Sequence, residues 1–149
     1  MSETNESAYR NPALQDLALL LRYRWSVRER ETLRQQLEDL DSLWYRRPDP
    51  RGKAQFTKGR ERRKAACEAA LARQEARCAQ DAEAFEKLLA EVKPPRTRLV
   101  LRQYYGSGMS DREIGEANSF STRTAWNVRN GWLREHGCLE SPQPGRRPS

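Results

Sequence analysis

Two pairs of prolines partition this sequence and limit what it can fold into. Pro48 and Pro50 stand in "RRPDPRGKAQFTKG" at 46–59, beside Gly52 and Gly59, and Pro94-Pro95 stand together farther on. A proline inside a helix removes a hydrogen bond and clashes with the preceding turn, and it drives the residue before it toward extended backbone. Each pair therefore ends the helix that reaches it. Between the breaks, apolar residues recur every three or four positions and no stretch alternates in strand fashion. The expected fold class is all-α: a coiled-coil-like helical hairpin over 13–93 with a non-helical basic connection at 46–59, then a three-helix unit over 96–136. The polar ends, 1–12 and 137–149, are expected to be disordered.

Within the hairpin, Pro12 suits a first helical position, where its missing N–H costs nothing. Leu14, Leu17 and Leu21 share a face, with Leu20 beside them. "SVRE" at 26–29 has the form of a capping box, which marks either a break near Trp25 or nothing if the helix runs through. Leu33, Leu37, Leu40 and Trp44 follow as a short seam of coiled-coil spacing. From Arg60 to Val92 the face reads Ala65, Ala66, Ala69, Ala72, Ala76 and Ala79, then Phe85, Leu88, Leu89 and Val92. Small residues on one helix accept the leucines of the other. Trp25 and Trp44 read as core or interface residues. The same faces would also serve a homodimer, and the pattern does not separate folding back from pairing.

Charge narrows the class of partner. Apolar residues make up 36% of the chain and charged ones 33%, which suits long solvent-bathed helices better than one large globule. The net charge is +7, and a segment from Arg46 to Lys64 carries that same +7 alone, the remaining stretches summing to zero. A basic patch favours a polyanion, here double-stranded DNA. Arg60, Arg62, Arg63 and Lys64 are the candidate phosphate contacts of that segment; a solvated connector is the other reading.

Other classes find no support. Three cysteines, Cys67, Cys78 and Cys138, with no Cys-x-x-Cys, do not make a disulfide framework. His136 and Cys138 lack companions for a metal site. There is no glycine-rich phosphate loop, no paired-acid motif and no Ser/His/Asp arrangement, so a non-enzyme without cofactors is expected. The N-terminus lacks a signal pattern and "LALLL" at 17–21 is too short to span a bilayer, so no membrane partner is expected, and the place predicted is the cytoplasm, at the nucleoid.

The sharpest local pattern lies at 110–133. Ser110 and Glu113 stand at capping-box spacing before a short helix, about Asp111 to Ala117, with Ile114 as its core residue. Gly115 lets another helix approach. Asn118-Ser119 makes the turn, with asparagine the residue that tolerates left-handed backbone. Ser121 then caps a helix over Thr122 to His136 that turns Ala125, Val128, Trp132 and Leu133 inward. Its outward residues are Thr122, Arg123, Trp126, Asn127 and Asn130. Arginine and asparagine are the side chains that pair two-pronged with guanine and adenine edges, while Ser121 and Thr122 at the helix start suit a phosphate. A helix held this way by a preceding helix and a tight turn is a major-groove reader.

"MSDREIGEANSFSTRTAWNVRNGWL" resembles the helix-turn-helix of sigma-70 region 4, and is particularly similar to the sigma-region-4-like domains of phage and prophage regulators of the ArpU/RinA type. The shared residues are Gly108, Met109, Ser110, Glu113-Ile114, Phe120, Ser121 and Thr124, with Arg96-x-x-Leu99 and Tyr104-Tyr105-x-x-Gly108 in the approach helix. Gly115 stands where the family has alanine, Asn118-Ser119 where it has an apolar-Gly turn, and Ala125 where it has valine. Trp126 and Trp132 are heavier than usual. The resemblance implies a sequence-specific transcriptional regulator that binds DNA and touches RNA polymerase. Two alternatives stand beside it: a small terminase-like packaging adaptor, and a helix-turn-helix that binds protein.

Overall fold

The computed structural model describes residues 11–45 and 53–138, with side chains from 11–42 and 58–138. Five α-helices account for almost all of this, and the described residues contain no strand. Helix α1 spans Pro12–Tyr45 and α2 spans Lys53–Ala90. Helix α3, Pro95–Leu101, runs into a π-helical turn, Arg102–Gly106. Helices α4, Asp111–Asn118, and α5, Thr122–Glu135, complete the chain. None of the described helices is long and apolar enough to cross a membrane.

Helix α1 starts where its sequence allows. Asn11 Oδ1 accepts from the Ala13 N–H at 3.0 Å, and Pro12 fills the first helical position. The helix then runs unbroken past "SVRE", and Ser26 is buried rather than capping. Its 34 residues make a rod of about 51 Å. Helix α2 begins at Lys53, inside the stretch 46–59 from which a regular helix was excluded. The prolines lie before that point. Gly59 alone does not break a helix; it costs about 1 kcal/mol relative to alanine. Residues 46–52 lie outside the described residues, as do the expectations for 1–10 and 139–149.

The two long helices pack antiparallel over their length. Arg22 grips Asp81 with two hydrogen bonds of 2.9 Å near one end, and Arg60 meets Asp41 at 2.9 Å near the other. The centre of the hairpin buries polar groups beside Val27 and Cys78. Ser26 and Gln74 are buried there, and Arg30 Nε and Gln74 Oε1 are buried without a hydrogen-bond partner among the described residues.

The main core does not belong to the hairpin alone. Leu20 from α1, Phe85, Leu88, Leu89 and Val92 from α2, Leu101 and Tyr105 from the third helix and its π turn, Leu133 from α5 and Cys138 form one cluster. The hairpin and the three-helix unit expected on either side of Pro94-Pro95 thus share a joint core. Pro95 simply opens α3, and Arg98 ties the turn back by donating to the carbonyls of Val92 and Lys93. The far end of α5 is fastened as well. His136 Nε2 lies 2.7 Å from Asp16 Oδ2 with its ring stacked on Trp132, and the Cys138 thiol donates to the Ala13 carbonyl at 3.2 Å. Residues 137 and 138, expected in a disordered tail, are thus part of the packed structure.

This joint core explains a correction in α1. Leu14, Leu17 and Leu21 were expected to face inward together. Leu20 is fully buried instead, Leu17 packs beside it, and Leu14 and Leu21 are exposed. Helix α1 has two neighbours, α2 and the C-terminal helices, and both lie on the Leu20 side. Trp25, read as a core or interface residue, is 53% exposed. The side chain of Trp44 lies outside the described residues.

Candidate nucleic-acid interface

Helix α4 is fixed at both ends by its own sequence. The Ser110 hydroxyl accepts from the Glu113 N–H, and the Ser110 N–H donates to Glu113 Oε1, each at 3.2 Å. The Ser110 N–H first, and its hydroxyl second, hold the Glu113 carboxyl below its usual range. At the other end the left-handed residue is Ser119, at φ 60° and ψ 36°, not Asn118. Asn118 is used differently. Its amide donates to the Ile114 carbonyl at 2.8 Å and to Gln103 Oε1 at 2.6 Å, which clamps the turn to the π-helical segment.

Gly115 sets how close the turn comes. A Cβ at this position would lie 2.7 Å from the Phe120 carbonyl oxygen and 3.2 Å from the Ser121 carbonyl carbon. The close approach is made by the turn's own backbone rather than by another helix, and the Phe120 N–H donates to the Gly115 carbonyl at 2.8 Å. The chain then enters α5 under a second serine cap: Ser121 Oγ accepts from the Thr124 N–H at 3.0 Å.

A small core holds the two helices. Val100, Ile114 and Ala125 are completely buried, with Tyr104, Met109, Phe120 and Val128 packed around them. Beside it lies a polar clamp that sequence reasoning missed. Arg129 donates to both carboxylate oxygens of Asp111, at 2.8 and 3.3 Å, and its guanidinium lies 3.9 Å from the centre of the Tyr104 ring. Arg24 from α1 also lies 3.9 Å from the centre of that ring and donates to the carbonyls of Tyr104 and Met109. One tyrosine thus joins α1, the third helix and α5. No local signal announces this, because its members are 80 or more positions apart in the case of Arg24. Gly108, at φ +71°, adds a second contact with α1; a Cβ there would lie 2.8 Å from Arg28 Cγ.

The result is a short helix pair whose second member offers one clear face. Ser121, Thr122, Arg123 and Asn127 are exposed, and Trp126 is half-buried at the margin. The side chains of Arg123 and Asn127 make no hydrogen bond or ion pair within the described residues. They stand four apart and so share a face. Asn130 departs from expectation. It is buried, and its amide donates to the Trp126 carbonyl one turn back at 3.0 Å. A mid-helix asparagine that satisfies itself this way cannot reach a base edge.

The basic cluster lies elsewhere. Arg60, Arg62, Arg63 and Lys64 are on α2, not on a loop. Arg60 and Lys64 both bind Asp41, at 2.9 and 3.3 Å, while Arg62 and Arg63 are exposed. From Arg60 to Phe85, where the C-terminal helices pack, the helical rise amounts to about 37 Å. Within one copy the cluster and α5 do not form a single patch. The three cysteines are free and buried, and burial raises the thiols of Cys78 and Cys138. Among the described residues no three His, Cys, Asp or Glu side chains are grouped to hold a metal.

No family model, curated protein or solved structure matches this chain.

Proposed function

We propose that the chain is a sequence-specific DNA-binding transcriptional regulator of phage type, with α5 as the helix that enters the major groove and RNA polymerase as its further protein partner. Its place is then the cytoplasm, at the nucleoid. One observation carries the reading. The α4–turn–α5 segment spends its polar side chains on fixing its own angle, yet leaves Arg123 and Asn127 free of internal partners on the exposed face of α5. Exposed guanidinium and amide groups four apart on a rigid helix are suited to bidentate pairing with base edges. Ser121 and Thr122 at the amino end of α5 supply hydroxyl donors for a phosphate. Pairing of two copies through the hairpin belongs to the same reading.

The test begins by selecting binding sites from a pool of random duplexes. Affinity is then measured by fluorescence anisotropy on the selected and scrambled sequences. Arg123→Ala is expected to lose about 1–3 kcal/mol on the selected site and less on the scrambled one. Full discrimination retained by folded Arg123→Ala and Asn127→Ala proteins would remove α5 as the reader. The reading in which the helix-turn-helix binds protein would then lead, favoured by Trp126, half-buried at the margin of the same face.

A further inference from the structure

Among the described side chains, one flank of the hairpin is left open on the side away from the C-terminal helices. On α1 it is marked by Arg22, Trp25, Ser26, Leu33, Gln36 and Leu40, and on α2 by Arg63, Ala66, Ala70 and Arg77. At about 100° per residue these positions fall within about 100° of one another on each helix, so they form a single stripe on each. The C-terminal helices pack on α1 through Leu20, Arg24 and Arg28, on the other side. At the distal end of this flank Leu33, Leu40, Ala66, Cys67 and Ala70 line an apolar groove of about 510 Å³. At its proximal end Trp25 stands out, with Leu21 beside it, each 53% exposed. The flank therefore carries both a projecting aromatic and an apolar recess.

We infer that this flank is the interface of a two-fold homodimer in which Trp25 of each copy enters the groove of the other. This specifies the surface of the pairing included in the DNA-binding reading, but its argument does not depend on DNA. A closed two-fold interface requires that a surface be complementary to itself. A two-fold axis crossing the hairpin at right angles near Arg30 satisfies this. It sets Trp25 against the partner's Gln36, on the wall of the groove, and Leu21 against the partner's Leu40. The charges do not clash: Arg22, already paired with Asp81 of its own chain, lies opposite the partner's Asp39. The area agrees as well. Two helices of about 10 Å diameter, overlapping for about 45 Å, present about 900 Å² per copy. Stable interfaces bury about 800 Å² per partner. The C-terminal helices lie on the opposite side and remain uncovered.

Sedimentation equilibrium of the full-length protein without DNA tests the interface. The expected species is twice the 17.4 kDa monomer. Trp25→Glu and Ala66→Glu each place a charge on an exposed position, so the fold should survive, as circular dichroism would verify. Each should raise the dimer dissociation constant at least about 30-fold, the loss expected of a central anchor. Register is read separately by mixing W25C with Q36C under mild oxidation. A disulfide between the two chains, exceeding that within either variant alone, is the expected product. A monomer at all concentrations, a dimer indifferent to both glutamates, a W25C disulfide with itself in preference to Q36C, or a ring of many subunits would each overturn the proposal. None of these readings involves DNA, so failure here leaves the role of α5 to its own test.

Discussion

The α4–α5 segment and the middle of the hairpin handle polar groups in opposite ways. Around the turn the polar side chains off the outer face of α5 are largely used: Ser110, Glu113, Asn118 and Ser121 each bind backbone, and Arg129 and Asp111 bind each other. In the hairpin, Arg30 Nε and Gln74 Oε1 are buried without a hydrogen bond, Arg30 Nε having only a 3.6 Å ion pair with Glu31, and the leucines of the seam are only half covered. Buried polar atoms cost free energy unless hydrogen-bonded. The short segment thus has one preferred geometry, whereas the hairpin is held by its joint core at one end and by surface ion pairs, each of small value, toward the other. A rigid turn and an incompletely covered rod have different tasks: the first holds an angle, the second offers a surface.

The strongest way to break this contrast is Ile114→Asp. The side chain is fully buried in the small core, and an unpaired carboxylate there should destabilise by upwards of about 5 kcal/mol. The α4–α5 pair should lose protection from hydrogen exchange while the Arg22–Asp81 region of the hairpin keeps more of it. Equal loss along the entire chain would show that the two regions are not separable in stability.

Tyr105→Ala probes the junction. Tyr105 is 1% exposed and packs in the joint core, so truncation should cost about 3–5 kcal/mol. Unfolding of both regions should shift to lower temperature, because both contribute to this core. A shift confined to the C-terminal helices, with the hairpin melting as before, would mean that the hairpin does not depend on this junction.

Gly115→Ala sharpens the account of the turn. The new Cβ would meet the Phe120 carbonyl, and overpacking of this kind costs about 1–3 kcal/mol, partly offset by the better helix propensity of alanine. Denaturant titration should show a net loss of about 1–2 kcal/mol. A stabilised variant would show that the turn moves aside freely. By comparison, Gly131→Ala on α5, where a Cβ meets nothing within 4 Å, should stabilise slightly.

The smallest effect concerns acid. The Glu113 carboxyl titrates lower in the folded chain than in the unfolded one. Its contribution is therefore complete above the unfolded value and is lost as pH falls through the lower folded one. Glu113→Gln should remove that part of the acid dependence while leaving the neutral-pH fold intact. An unchanged stability profile between pH 5 and pH 3, read by thermal melts, would show that the reciprocal cap contributes nothing.

The legible parts of this molecule are those decided within a few residues. Ser110 with Glu113, and Ser121 before Thr122, announced both helix starts because a cap is a local hydrogen bond. Ile114 and Ala125 announced the small core by spacing. What escaped depended on partners distant in sequence. Leu20 rather than Leu21 faces inward because the C-terminal helices occupy that side of α1, and no periodicity within α1 records their position. Asn130 reads as outward on a helical wheel, but a side chain that folds onto its own carbonyl is invisible to the wheel. Gly59 was counted with the break because it closes the stretch that holds Pro48, Pro50 and Gly52, although glycine alone permits a helix when the following turns are strong.

The grip of Arg24 and Arg129 around Tyr104 also governs how motion passes through the molecule. A flexible link between rod and reading head would act as a tether, raising the local concentration of anything bound at the rod but leaving its bearing free. A guanidinium against the ring from α1 and another from α5, above a common core, makes the rod a strut. Its distal end sweeps through an arc of about 1 Å for each degree of rotation at the base, given its length of about 50 Å. A partner seated on the rod is thereby aligned with α5, and a change of tilt forced at either end becomes torque at the other.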